Sequence, residues 1–250
     1  MKILIIGSKG FIGNHAFRYF SAKHPETFGA DVAVDYADPQ YINIDSTNSD
    51  FNDIFEKHEF DVCINCSGAA SVPDSLVHSL RDFNLNTYNV FKILESIKKH
   101  NPNCKFINLS SAAVYGNPKT LPIRENDAVS PVSPYGFHKK FAEEILQEFH
   151  HLFQINCCSL RIFSAYGIGL QKQLLWDISQ KAKSQKDLEL YGTGKETRDF
   201  INVEDIIHAI ELVIQKGNFG AEIYNIANGV QVSIKEIAEI ILKELDFQGN

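Results

Sequence analysis

The sequence predicts an α/β protein built on a doubly wound parallel sheet, and three observations predict it. Short apolar runs alternate with longer stretches of helical period, the pattern of strands joined by right-handed helical crossovers. Runs such as Ile3-Leu-Ile-Ile6 are continuously apolar, as strands covered on both faces must be. A glycine triplet, Gly7, Gly10 and Gly13, stands between the first run and the first helical stretch.

In chain order, strands are expected at 2–6, 32–35, 41–45, 62–66, 105–110 and 157–163, with helices at 11–23, 51–57, 76–99 and 135–153. The first helix opens on the glycines. The last of these helices opens on Ser133-Pro134, a good N-cap followed by a good first helical residue. The pattern changes near Ser164. Beyond it come a helix at 172–183, a short run at 188–191, a Gly-rich turn at 192–194, a strand and helix over 200–215, a strand at 223–227 and a final helix at 234–245. The expected division is a larger domain over 1–163 and a smaller C-terminal substrate-binding region over 164–250, with 200–216 packing back on the larger. Four of the eight prolines (Pro118, Pro122, Pro131 and Pro134) fall in one stretch. They mark a long irregular loop, and such loops in compact domains are usually functional.

The chain has 250 residues, more than the ~100–200 of one ordinary domain, which suits one body with an attached subdomain. Apolar residues are 44% and charged residues 22%, ordinary for a soluble globular chain. A chain this long buries roughly 70–75% of its unfolded surface, so its core needs neither disulfide nor metal. The net charge of −7 argues against a partner presenting nucleic-acid phosphates or anionic lipid, since both call for clustered cations. No apolar run approaches the ~20 residues of a membrane span, and the opening run is too short for a signal-peptide core. An odd count of five cysteines without a secretion signal reads as reduced thiols in the cytoplasm. Cys63 and Cys66 form C-x-x-C, but in a strand, where positions three apart face opposite sides. No second such pair and no metal-binding histidine spacing accompany it, so no metal is expected. The sequon at Asn108 goes unused in a cytoplasmic chain.

Glycines between a strand and a helix allow a tight turn, a close backbone approach to a pyrophosphate and close helix–strand packing. The helix N-terminus adds the N–H groups of Phe11, Ile12 and Gly13 and a positive dipole end. This is the phosphate loop of a Rossmann-type fold. Asp35, expected to close the second strand 22 residues after Gly13, is placed to accept hydrogen bonds from the adenosine ribose. An anion there repels a 2′-phosphate, so the expected cofactor is NAD rather than NADP. Asp45, ending the third strand, is placed to reach the adenine.

Ser110-Ser111-Ala-Ala-Val-Tyr115-Gly116 follows the fifth strand. Tyr135 and Lys139 stand four apart on the helix that begins at Ser133-Pro134, hence side by side on one face. A phenol with a pKa near ~10 is a poor base at neutral pH, and an adjacent ammonium is expected to lower it. Tyr135 is thus a candidate general acid/base, with a serine hydroxyl to hold the substrate oxygen.

The set Gly7-x-x-Gly10-x-x-Gly13, Asp35, Ser110-Ser111-x-x-Val-Tyr-Gly116, Ser-Pro-Tyr135-Gly-x-x-Lys139 and Arg198-Asp-Phe-Ile-x-Val-Glu-Asp205 resembles the extended short-chain dehydrogenase/reductase family. That is the NAD-dependent epimerase/dehydratase group that modifies nucleotide sugars, and the resemblance covers essentially the whole chain. It implies Ser111, Tyr135 and Lys139 as the catalytic set, with Tyr135 and Lys139 also meeting NAD. It further implies a nucleotide-diphosphate sugar held by the smaller region, with Arg198 on its phosphates, a role suited to bidentate donors. Family dimers pair two long helices, and the resemblance together with the wide apolar arcs of 76–99 and 135–153 implies a homodimer through them.

Three departures matter. Cys66-Ser-Gly-Ala-Ala-Ser71 precedes the helix at 76–99. Ser164 stands where the family commonly has a substrate-binding asparagine. The chain ends at Asn250, soon after one terminal helix, where relatives continue. From the last two, and from a Pro-rich loop over Gly116 to Ser133 with few partners to pin it, the substrate site is expected to be open and incomplete, with NAD bound well and nucleotide sugar weakly. The reaction implied is epimerisation, most readily at C4 through a transient keto sugar. A 4-keto reductase or dehydrogenase using the same residues remains open, as does a non-catalytic NAD-binding regulatory module. A 4,6-dehydratase is disfavoured because Ala112 and Ala113 offer no carboxyl group.

Overall fold

A computed structural model describes every residue except Asn48, Gln185, Lys186, Asp187, Leu190, Tyr191 and Asn250. Its first elements are β1 (Ile3–Ile6), α1 (Phe11–Lys23), β2 (Thr27–Asp31), β3 (Tyr41–Asn43), α2 (Asn52–Lys57) and β4 (Val62–Asn65). Then come α3 (Val72–Val77), α4 (Ser79–Phe83), a π-helical turn (Asn84–Tyr88), α5 (Asn89–His100), β5 (Lys105–Ser111) and a 3₁₀ turn (Ala112–Tyr115). The 20-residue helix α6 (Pro134–Phe153) leads into β6 (Cys157–Ile162). The remainder is β7 (Ser164–Tyr166), α7 (Gln173–Ser184), β8 (Thr197–Asn202), α8 (Val203–Lys216), β9 (Gly220–Ile226), β10 (Gln231–Ser233) and α9 (Ile234–Glu244).

Seven strands form one sheet in the order β3-β2-β1-β4-β5-β6-β9, and every pairing in it is parallel. This is the α/β, Rossmann-type architecture expected. Ile3, Leu4 and Ile5 of β1 are fully buried because helices cover both faces, which is why the run needs no polar alternation. The chain leaves β1 toward β2 on one side and later enters β4 on the other. Ligands of such sheets bind at the carboxyl ends of strands flanking that reversal. The core beside it gathers Leu4, Ile6, Phe55, Cys63, Ile93, Phe106, Leu146 and Phe149.

The chain falls into two compact units, 1–162 with 207–226 and 163–206 with 227–250. The smaller contains a three-stranded sheet, β10-β8-β7, and the helices α7 and α9. Helix α9 is closed by a capping box between Ser233 and Glu236, two orphan donors satisfied reciprocally.

Several expected elements are corrected. The second strand is not 32–35 but β2, and Asp31 rather than Asp35 closes it. Val32 and Val34 are 50% and 69% exposed. The stretch that pairs with β1 is the less β-prone Thr27–Asp31, aligned Ile3↔Thr27 to Ile6↔Ala30. Gly29 sits within it because a Cβ there would meet Ser8 Oγ at 2.8 Å. The single helix expected at 76–99 is three pieces: α3 and α4 are separated at His78 (φ −122°, ψ 53°), and the π-helical turn precedes α5. A wide turn inserts a residue without disturbing the apolar period enough to be read. The strand expected at 223–227 is β9, and it belongs to the larger unit as the seventh strand of the main sheet. Residues 207–226 belong to that unit, which takes in 207–216 of the expected 200–216. Strands β7 and β10 were not expected. The run at 188–191 lies partly outside the described residues. Among those residues, no helix is long and apolar enough to cross a membrane.

Candidate active site

The glycine loop is built as its spacing implies. Gly7 adopts φ +82°, and a Cβ there would fall 2.7 Å from the Ser67 nitrogen beyond β4. A Cβ on Gly13 would fall 2.0 Å from the Gly7 carbonyl oxygen, so the first turn of α1 rests directly on the end of β1. Gly10 caps α1 with no side-chain hydrogen bond, and no acidic residue occupies the first turn. The N–H groups of Phe11, Ile12 and Gly13 lack intrahelical acceptors by position.

The carboxylate at this loop is Asp31. Its Oδ2 accepts from the Lys9 backbone N–H at 2.9 Å, and its Oδ1 from Val32 N–H at 2.7 Å. It lies 18 residues after Gly13, on the other side of the ~20-residue interval from Asp35. A three-residue turn after α1, rather than a long one, was the signal that could have found it. Asp35 lies in the following loop, where it pairs with Lys9 Nζ at 2.6 Å; that ammonium holds its carboxyl below the usual range. The same ammonium lies 4.5 Å from the Tyr41 ring centroid. Asp45 is exposed and accepts from the Thr47 backbone and hydroxyl at 2.7 Å.

The serine, tyrosine and lysine come together in the larger unit. Ser133 Oγ accepts from Gly136 N–H at 3.2 Å, starting α6 so that Tyr135 and Lys139 lie one turn apart. Ser111, at the end of β5, lies beside Tyr135, and its hydroxyl acts to lower the phenol. Lys139 is 6% exposed; its Nζ donates to Leu109 O at 2.8 Å and sits 5.9 Å from the Tyr135 ring centroid. Burial pushes the Lys139 ammonium down to about 8 against the carboxylates of Asp82 and Glu143. The expected lowering of Tyr135 is not found: burial pushes its phenol above the ordinary value, against the Ser111 hydroxyl, and Asp82 pushes it further up. Lys139 spends its hydrogen bond on a backbone carbonyl instead.

Residues that the sequence did not single out hold this set in place. Glu143 on α6 accepts from Ser110 Oγ at 2.5 Å and from Arg161 at 3.0 and 2.7 Å. Arg161 stacks 4.6 Å from the Tyr115 ring centroid and donates to Glu125 O at 3.1 Å. Asn225 donates its backbone N–H to Glu125 and its amide to Ile123 O. The Pro-rich loop, expected to have few partners, is thereby pinned from β6 and β9.

In the smaller unit, Ser164 and Arg198 line one concavity, together with Leu170, Gln173, Leu174 and Phe200. The parallel pairing of β7 with β8 sets Ser164 opposite Phe200, and Arg198 lies two residues before Phe200, on the same face of the strand.

The sequence profile of the NAD dependent epimerase/dehydratase family matches residues 3–227. The chain belongs to that family. Membership makes it an NAD-dependent enzyme acting on sugar nucleotides. Among its relatives, the UDP-glucose 4-epimerase of Bacillus subtilis is 25% identical over 97% of this chain and 82% of its own length. The dTDP-D-glucose 4,6-dehydratase of Dictyostelium discoideum is 26% identical over 96% of this chain and 61% of its own. The crystal structure of a UDP-glucuronic acid 4-epimerase variant from Bacillus cereus, in complex with a fluorinated UDP-sugar and NAD, superposes with a TM-score of 0.90. It is 25% identical and covers 100% of this chain and 85% of its own.

The residues of this family member fit a dinucleotide. The atoms nearest a Cβ built on each of the three loop glycines are all backbone, and α1 begins at this loop. Ser8 Oγ and the Asn86 amide are buried without a hydrogen-bond partner among the described residues. Asn86 lies beyond Gly68, whose Cβ would fall 2.5 Å from Asn86 Oδ1 and 3.5 Å from Lys139 Nζ. A buried amide left bare costs about 1–3 kcal/mol, which a ligand beside Lys139 would recover. Among the described residues no cluster suits a metal ion.

Proposed function

We propose that this chain is a nucleotide-sugar 4-epimerase. The observation that carries the reading is the Tyr135 phenol, beside Ser111 and one helical turn from the buried Lys139 ammonium. Bound NAD supplies a reversible acceptor for the hydrogen at the sugar C4. Tyr135 takes the proton of the C4 hydroxyl, Ser111 holds the sugar oxygen, and Lys139 favours the phenolate while NAD is bound. The phenol then returns the same proton after the keto sugar has presented its other face. Above its ordinary value the phenol is protonated at neutral pH, so it accepts the C4 proton only once neighbouring positive charge draws it to the phenolate.

NAD is held by the glycine loop and the first turn of α1, with Asp31 on the adenosine ribose, Asp35 and Lys9 beside it, and Asp45 toward the adenine. Arg198 and Ser164 hold the nucleotide diphosphate; Ser164 is a single hydroxyl, a weaker clamp than a bidentate amide. Ala112 and Ala113, the two residues after Ser111, carry no carboxyl group to eliminate water, which favours epimerisation over 4,6-dehydration. The five cysteines are free and four of them are buried, which supports a reducing, cytoplasmic location. Leu76, Val77, Leu80, Phe83 and Tyr88, with Phe137, Phe141, Leu152 and Phe153 of α6, are exposed apolar side chains. A second copy of the chain covers them in a homodimer, since patches of this kind mark interaction surfaces.

The deciding experiment incubates purified protein with UDP-, dTDP- and GDP-hexoses and follows products by NMR. Inversion at C4 without added NADH supports the reading. Reduction of a 4-keto sugar with consumption of NADH would replace it with the reductase, and NAD binding without turnover would replace it with the regulatory module.

A further inference from the structure

Helix α6 carries a second polar pair that the reaction as described does not use. His138 lies between Tyr135 and Lys139 in sequence, and its Nδ1 is 2.5 Å from Asp82 Oδ1 on α4. Asp82 is 1% exposed and His138 8%. A carboxylate only accepts, so the imidazole donates Nδ1–H. The ring lies edge-on to Phe83 at 5.4 Å, which excludes water from one side of the pair. Asp82 Oδ2 is buried with no hydrogen-bond partner among the described residues. One imidazole N–H meets Oδ1 and leaves Oδ2 bare.

The neighbouring geometry fixes this pair toward the catalytic helix. The π-helical turn that follows α4 carries Thr87, whose hydroxyl donates to the His138 carbonyl at 2.9 Å. Arg81, the cation next to Asp82 in sequence, is exposed and pairs with Asp74 at 3.1 Å instead. His78 and Tyr88, the other titratable side chains of this helical segment, are exposed. Asp82, Cys66 and Glu143 support the Lys139 ammonium against its burial, and Asp82 also pushes the Tyr135 phenol up. Glu143 is already engaged by Arg161 on both oxygens. Burying a carboxylate with one oxygen bare is costly, and a cost of that kind is sustained where the charge serves a neighbour.

We propose that Asp82, oriented by His138, is the buried anion that sets the charge balance of the Tyr135–Lys139 pair, and so is a positioning residue for the reaction. It rests on the reading that Tyr135 and Lys139 form the proton-transfer pair. An anion beside a phenol makes its ionisation harder, and beside an ammonium makes proton loss harder. Asp82 therefore acts on both groups in the same direction. It keeps the proton on the phenol between the two halves of the reaction, and it keeps the lysine cationic despite burial.

The test reads titration directly, so it does not depend on finding the substrate. Carbon-13 NMR follows lysine Cε and tyrosine Cζ against pH, with Lys139→Met and Tyr135→Phe used to assign the two resonances. In Asp82→Asn, both midpoints are expected to move to lower pH by roughly one unit, a tenfold change in each ionisation constant. The double variant Asp82→Leu/His138→Leu removes the pair whole, a replacement that buried ion pairs often tolerate, and is expected to move both midpoints the same way. It decides the matter if the amide variant does not fold. Midpoints that stay in place, that rise, or of which only one moves, overturn the proposal. Failure of every sugar nucleotide to turn over, with both midpoints moving as stated, would sink the epimerase reading and leave this one standing.

Discussion

Arg161 grips Glu143 with two parallel hydrogen bonds, Nε to Oε1 at 3.0 Å and Nη2 to Oε2 at 2.7 Å, and both side chains are at most 4% exposed. One strand, β6, is thereby tied to the catalytic helix α6, while Ser110 beside Ser111 hangs on the same carboxylate. Breaking one partner of a buried pair costs about 3–5 kcal/mol because the other charge is left bare. Glu143→Gln is expected to lose stability of that order, read as a lower denaturation midpoint in urea. Turnover should fall as well, because Ser110 and the Glu125 segment lose their anchor. A midpoint within error of wild type would show that the pair contributes nothing.

Tyr135→Phe is expected to lower turnover by about 10²–10⁴ while leaving NAD affinity nearly unchanged. The ring fills the same space and only the hydroxyl is gone. Single-turnover kinetics and NAD titration on the same preparation check it. Turnover near wild type would remove Tyr135 from the mechanism.

Asp31 and Asp35 compete for the role of ribose carboxylate, and calorimetry separates them. Asp31→Ala is expected to weaken NAD and narrow the preference over NADP. Asp35→Ala should have the smaller effect, since its carboxylate is engaged by Lys9 four residues beyond the strand. The reverse ranking would return the role to Asp35.

Lys139 makes stability depend on pH with a definite sign. Its folded value, about 8, lies below the ordinary 10.5, so between those values the unfolded chain binds the proton that the folded one has lost. Stability therefore rises as pH rises from about 8 to 10.5, and the cost of burying the ammonium is fully present below 8. The interval is worth about 3 kcal/mol at ~1.4 kcal/mol per pH unit. Lys139→Met is expected to be inactive yet more stable than wild type at pH 7, with the difference closing by pH 10.5. Parallel stability curves for the two proteins across that range would refute the assignment.

The apolar faces of α3, α4 and α6 predict a homodimer in light scattering at micromolar concentration. Leu80→Glu, at a position 71% exposed, is expected to give a folded monomer. A monomeric wild type would count against the dimer.

The strand–helix alternation, the continuously apolar β1 and the glycine spacing were legible because each depends on neighbours within a turn or a strand of the chain. The same holds for Tyr135 and Lys139. Ser133-Pro134 starts a helix wherever it is placed, and four residues along a helix bring two side chains to one face. Ser111 was legible for a similar reason, standing at the end of an apolar run.

The rest depended on residues far apart in sequence. Val32 and Val34 have the stronger strand propensity, but β1 pairs with Thr27–Asp31, so Asp31 reaches the glycine loop and Asp35 does not close the strand. Strand β9 joins β6 because its edge was open, which no local pattern records. The stretch 76–99 has a helical period throughout, yet the packing of α4 and the π-helical turn against α6 breaks it and turns Asp82 onto His138. The Tyr135 phenol rises rather than falls because burial outweighs its neighbours, and burial is a property of the assembled fold. Periodicity and capping act over a few residues and are written in the chain; pairing partners, solvent exclusion and the field at a buried group arise only when distant segments meet.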